Sequence, residues 1–207
     1  MPDSTTAAAA APNRDPRARD RAIRCLWQLG DHDPAARQGY LYAVLDAARD
    51  ERIFPGLRRL AAATQVISLY QGKSERELAA VAPYLVCLGT DDVVFDWIWR
   101  DGWGADWGIF LWSIVTLETL RAHLRRLTMV RTQEGQRLLF RFYDPRVLRQ
   151  FAPSCDAAQA RELFGPVTRF MIEDPTGEAI LSFVHRNNST EAAVGTTIHP
   201  LHPAPEG

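Results

Sequence analysis

This sequence predicts an α/β fold, a mixed β-sheet with flanking helices, and three features carry the prediction. Through residues 40–113 short apolar runs alternate with helical stretches, the order expected of strands with helices packed on their sheet. From residue 129 onward the apolar runs come in pairs joined by short glycine-containing turns, which marks hairpins. Among them lies the sharpest local signal, RLLFRFYDPRVLRQF at 137–151, where a strand ends and a helix begins at once. Leu138, Phe140 and Phe142 alternate with Leu139, Arg141 and Tyr143, so a pleated strand sends the first set to a buried face. Asp144 can accept the unpaired N–H groups of the next turn, and Pro145 has the φ of a first helical residue. Val147, Leu148 and Phe151 are then left for packing.

Taken in order, residues 1–15 lack hydrophobic periodicity and predict a disordered N-terminal tail. Ala18, Ile23, Leu26, Trp27 and Leu29 give a first amphipathic helix ended by Gly30. Residues 40–46 form an apolar strand, followed by helical material that Pro55 and Gly56 interrupt. A short strand at 66–70 precedes Ser74 and Glu77, whose spacing is that of a capping box, and Pro83 leads into a third strand at 84–88. Thr90 or Asp91 can cap a helix with Val94, Phe95, Trp97, Ile98 and Trp99 around much of its circumference. Gly102 closes it, and GWGADWG at 102–108 turns into the strand 109–113.

Thr116 is placed to cap the clearest amphipathic helix, with Leu117, Leu120, Leu124 and Leu127 on one face. Strands at 129–132 and 137–143 make a hairpin around Gly135, a helix at 157–164 ends at Gly165, and 168–173 pairs with 179–185 across a turn at 174–177. One domain over residues 16–186 follows, with a flexible tail from 187 to 207.

Of 207 residues, 46% are hydrophobic and 24% charged, enough apolar material for a single core. A net charge of −1 offers no long-range attraction to nucleic acid or an anionic membrane, and neither is expected as a partner. Cys25, Cys87 and Cys155 are widely spaced without a C-x-x-C pair, which predicts free thiols in a reducing cytoplasm and no zinc site. No apolar stretch approaches the length of a membrane span, and the alanine-rich start lacks the basic region of a signal peptide.

The glycines of GWGADWG lead into a strand, whereas a dinucleotide fingerprint follows a strand and opens a helix, so no nucleotide cofactor is expected. Trp97, Trp99, Trp103, Trp107 and Trp112 fit core packing, with a carbohydrate-stacking platform as the alternative. Arginines at 121, 125, 126, 131, 137, 141, 146 and 149 allow a basic side, a solvated face or one suited to an acidic protein partner, which Asp91, Asp92, Asp96, Asp101 and Asp106 could neutralise within the fold. Asp46, Asp144 and Asp174 follow strands, the last two just before a proline, where an aspartate turns the chain. Asp46 alone leaves room for a strand-end catalytic acid, and the scattered histidines assemble no known catalytic motif.

Four motifs occur in sequence: YLYAVLDAARD at 40–50, SLYQGKSERELAAVAPYLVCL at 68–88, GWGADWGIFLWS at 102–113, and LRRLTMVRTQEGQRLLFRFYDPRVLRQF at 124–151. Together with LFGPVTRFMIED at 163–174 they resemble the type VI secretion adaptor chaperones, often called Tap or TEC proteins and first catalogued as a domain of unknown function. The resemblance implies a non-catalytic cytoplasmic adaptor that binds one effector protein and helps load it onto a VgrG or PAAR-type spike, without cofactor or metal. By the same resemblance, Trp103, Gly104, Trp107 and Gly108 match a tryptophan–glycine motif, and Arg141, Tyr143, Asp144, Pro145 and Arg146 match a strand-to-helix motif. The expected client surface combines exposed aromatics near Trp103 and Trp107 with the arginine side of the hairpin, through Arg137, Arg141, Tyr143 and Arg146.

Overall fold

A computed structural model describes residues 16–31, 39–60, 64–89, 93–131, 135–186 and 193–202. The expected tail at 1–15 and the cap at Thr90 or Asp91 lie outside the described residues. Helix α1 (Pro16–Asp31) leads to β1 (Tyr40–Asp46), α2 (Ile53–Leu60), β2 (Val66–Ser68), α3 (Lys73–Glu77) and β3 (Pro83–Leu88). Helix α4 (Val93–Trp97) widens into a π-turn at Ile98–Gly102, followed by β4 (Gly108–Ser113) and α5 (Leu117–Leu127). The hairpin β5 (Met129–Arg131) and β6 (Arg137–Leu139), helices α6 (Pro145–Ser154) and α7 (Ala157–Phe164), and strands β7 (Val167–Glu173), β8 (Ala179–His185) and β9 (Val194–Pro200) complete the order.

Seven strands form one sheet in the order β2-β3-β1-β4-β7-β8-β9, and β5 with β6 makes a separate two-stranded ribbon. The expected combination of sheet and flanking helices is therefore present, and every strand pairing among the described residues is antiparallel. Strand periodicity divides the core in two. Leu41, Ala43, Leu45, Phe110, Trp112 and Met171 face one side with α1, α2, α4 and the tryptophans. Tyr42, Val44, Ile109, Leu111, Phe170 and Ile172 face the other, under α5, α6 and α7. The central strands are buried on both faces, which is why they read as continuous apolar runs.

Several local expectations need correction. Pro55 and Gly56 lie inside α2, where a proline in the first turn removes only an N–H that would lack a helical partner. Ser74 and Glu77 form no capping box, because α3 begins one residue earlier after Gly72, and Glu77 instead lies 3.6 Å from Lys73. Thr116 precedes α5 without a side-chain cap, its hydroxyl meeting that of Thr119 at 3.2 Å. Strand β6 stops at Leu139 rather than 143, and Leu138 stands 48% exposed whereas Phe142 is fully buried. Residues 194–200, read as tail, form β9, paired along its length with β8 from His185↔Val194 to Ala179↔Pro200. An edge strand needs little apolar alternation, since its backbone pairing holds it and much of its surface meets water.

Gly30 lies within α1 rather than after it, held against the Trp112 indole: a Cβ there would sit 1.9 Å from the ring. The indole cannot swing away, being 2% exposed and donating from Nε1 to the Leu26 carbonyl at 2.7 Å. Gly30→Ala is expected to cost about 2 kcal/mol by overpacking. Urea unfolding reads this as a lower midpoint with an unchanged slope.

On the opposite face His123, buried on α5, donates from Nε2 to the Leu163 carbonyl at 3.1 Å and so ties α5 to the end of α7. Burial lowers its pKa below the ordinary 6.5, with Arg126 adding to the effect and the Leu163 carbonyl and Glu162 opposing it. A lowered folded-state value means that the unfolded chain takes up the proton more readily. The stability from neutral His123 is complete above about pH 6.5 and is lost as pH falls through the lower folded-state value. Thermal melts between pH 7.5 and 5 should therefore fall more steeply for the native chain than for His123→Gln.

Candidate functional site

Three strand ends meet under the glycine–tryptophan turn. Antiparallel pairing puts the end of β1 beside the start of β4, with Leu45 opposite Gly108, and the end of β7 reaches the same end of β4 from its other side. The turn 103–107 must cross this edge, and its backbone N–H groups need acceptors once covered. Glu173, 5% exposed at the end of β7, supplies them: its carboxylate accepts from Gly104 N and from Asp106 N, the latter at 2.9 Å. Asp106 itself takes a positive φ of 54°, which a short polar side chain tolerates better than most. Trp103 Nε1 donates to the Gly177 carbonyl at 2.9 Å, binding the turn to the β7–β8 hairpin, and Asp46 N donates to the Trp107 carbonyl at 2.8 Å.

The indoles beneath this turn are core. Trp97, Trp99, Trp103, Trp107 and Trp112 are all buried, with Trp97 and Trp107 centroids 5.0 Å apart and Trp99 and Trp103 4.8 Å apart. Trp107 Nε1 donates to Asp50 at 3.2 Å, and the Arg52 guanidinium lies 5.2 Å from the Trp107 ring centre. The hydrogen bond from Arg52 lowers the Asp50 pKa to about 2, so the group stays ionised under this ring. Stacking a sugar needs exposed ring faces, so no carbohydrate platform forms here, and Trp103 and Trp107 offer no aromatic surface to a client. That part of the expected client surface is corrected.

The corner that follows β6 also turns inward. Asp144 caps α6, accepting from Arg146 N at 3.0 Å and from the Arg146 guanidinium at 2.9 and 2.6 Å. Burial pushes the Asp144 pKa up, but these bonds outweigh it and the net shift is downward. Arg141 donates to Asp46, whose side chain is 3% exposed and whose other oxygen accepts from Ala48 N at 3.1 Å. Arg49 reaches Asp106 at 3.3 Å, Arg146 lies 3.9 Å from the same carboxylate, and Arg149 donates to the Glu173 carbonyl at 2.9 Å. Tyr143 is 1% exposed and hydrogen-bonded to Tyr70, and burial raises the pKa of its phenol.

Sequence reasoning thus named residues that do come together: Trp103, Trp107, Arg141, Tyr143 and Arg146 belong to one joint built around Asp46, Asp106, Asp144 and Glu173. Their charges pair with one another, although the Arg141 and Arg146 side chains stay 39% and 49% exposed. Arg137 stands apart, paired in the ribbon with Arg131, and its side chain lies outside the described residues. Glu173 was missed because an acid closing a strand carries no distinctive pattern. Arg121, counted on the basic side, also turns inward to the carbonyls of Ser68 and Tyr70 at 2.7 and 3.0 Å. Among the described residues no group of three or more His, Cys, Asp or Glu side chains could hold a metal ion, and no helix is long and apolar enough to cross a membrane.

The β5–β6 ribbon faces outward. Met129, Val130, Leu138 and Leu139 are 44%, 37%, 48% and 50% exposed, a density of exposed apolar side chains unusual for so short a segment. Residues 41–162 match the profile of a family described as a domain of unknown function, DUF4123. The match covers more than half of the chain. This protein belongs to the DUF4123 family. No curated protein and no solved structure matches it. The DUF4123 region contains the tryptophan–glycine turn, Asp46, the ribbon and the Asp144 corner, whereas Glu173 and strands β7 to β9 lie beyond it.

Proposed function

We propose that this DUF4123 protein is a non-catalytic adaptor chaperone of a type VI secretion system. In the cytoplasm of the producing bacterium it binds one effector and helps to load it onto a VgrG or PAAR-type spike. The observation that carries this reading is the family match over 41–162, which takes in the motifs at 68–88, 102–113 and 124–151 and all but the first residue of that at 40–50. Those motifs resemble the adaptor chaperones in content and in order. The arrangement of charge supports the same reading: the arginines and carboxylates at the sheet edge neutralise one another and make a rigid joint, while the apolar ribbon is left to meet a protein.

Co-expression with the proteins encoded beside it, followed by affinity capture and light scattering, tests the proposal. A stable complex with a neighbouring effector or spike protein is the expected result. A folded protein that captures neither would overturn it.

A further inference from the structure

The β5–β6 ribbon has a geometry that narrows what it can bind. Met129 lies opposite Leu139 and Val130 opposite Leu138, so each cross-strand pair shares a face and successive pairs occupy opposite faces. Each face therefore carries one pair of exposed apolar side chains. A surface that docks against one side of a partner needs a single apolar face, with a polar back to keep it soluble. A ribbon with two apolar faces is buried only when it is enclosed from both sides.

The root of the ribbon is well fixed. Phe140 N donates to the Thr128 carbonyl at 3.0 Å, and the Phe140 ring packs edge-on against Phe151 with centroids 4.7 Å apart. The charge around it has one sign: residues 125–139 carry Arg125, Arg126, Arg131 and Arg137 against Glu134 alone. Arg125 and Arg126 lie in the last turn of α5, where the ribbon leaves the body of the domain.

We propose that the ribbon is an insertion finger: it enters an apolar cleft in the client protein, and carboxylates on the rim of that cleft meet Arg125 and Arg126 at its base. The inference rests on the adaptor reading and specifies the surface that reading lacks. The two faces supply the contact area, and the basic flanks set orientation and speed of association.

Two double variants test it against the purified effector encoded beside the gene. Val130→Thr with Leu138→Thr makes one face polar, and Met129→Thr with Leu139→Thr the other; threonine has the β-branched shape that strands favour. All four side chains are exposed, so the melting temperature should stay near that of the native chain, and each variant should weaken binding about tenfold or more. Raising salt from about 50 to 300 mM should slow association of the native protein several-fold. If native protein binds the effector and both variants bind as well as it does, the finger is overturned while the adaptor reading stands. Weakening by one face alone also overturns insertion and points to docking on a single face. A native dimer that becomes monomeric in the variants assigns the ribbon to a second copy instead. Failure of the native protein to bind refutes the adaptor reading and with it the finger.

Discussion

Replacing Glu173 by alanine is expected to lower the melting temperature by roughly 10 °C, although the residue lies outside the matched family region. Its buried carboxylate accepts from Gly104 N and Asp106 N, and truncation takes the acceptor from both donors. Hydrogen bonds to a charged acceptor are worth about 1.5–3 kcal/mol each, so for the two together about 3–4 kcal/mol is at stake. In a chain of this length that corresponds to the expected shift. Glu173→Gln keeps one side-chain oxygen as acceptor and should lose about half as much. A melt of Glu173→Ala within roughly 2 °C of the native chain would show that the turn finds other acceptors, and the joint would lose its centre.

Arg141→Ala is the second large effect, about 2–3 kcal/mol. The pair is asymmetric: the Asp46 side chain is 3% exposed and that of Arg141 39%. Removing the arginine strands a carboxylate away from water, a loss that for a fully buried pair reaches about 3–5 kcal/mol and is smaller here because the arginine side is open. Removing the acid instead releases an arginine that can reach solvent, so Asp46→Asn should cost less. The double variant Asp46→Asn with Arg141→Ala should be more stable than Arg141→Ala alone, and denaturant titration of the four proteins measures the coupling. Equal losses for the two single variants would contradict this account.

Much of this architecture was legible in the sequence, for identifiable reasons. Asp144-Pro145 marked the start of α6 because a cap and a fixed φ are local properties, and both appear where they were expected. Strand β1 was read to its ends because burial on both faces leaves an uninterrupted apolar run. Strand β9 was hidden because an edge strand owes its place to pairing with β8, which VGTTIHP does not advertise. Period-two alternation at 137–143 suggested a long strand, but the chain leaves the ribbon after Leu139 to bury Phe142 and Tyr143 under the domain.

The candidate site divides in the same way. The tryptophan–glycine and Arg-Phe-Tyr-Asp-Pro-Arg motifs were recognisable, but whether their side chains face a partner or each other depends on which strand ends the fold brings together. Composition placed arginines on a basic side, while pairing with Asp46, Asp144 and the Glu173 carbonyl consumes three of them. The exposed ribbon was present as Met129-Val130 and Leu138-Leu139, neighbouring apolar residues that a strand must send to opposite faces.

The central claim is that the client is held by the ribbon and that the tryptophan–glycine joint only supports it. Hydrogen–deuterium exchange of the protein with and without the purified neighbouring effector tests that division directly. The account predicts added protection across residues 125–140 and no change at 103–107 or 141–146. Protection gained at 103–107 with the ribbon unchanged would contradict it.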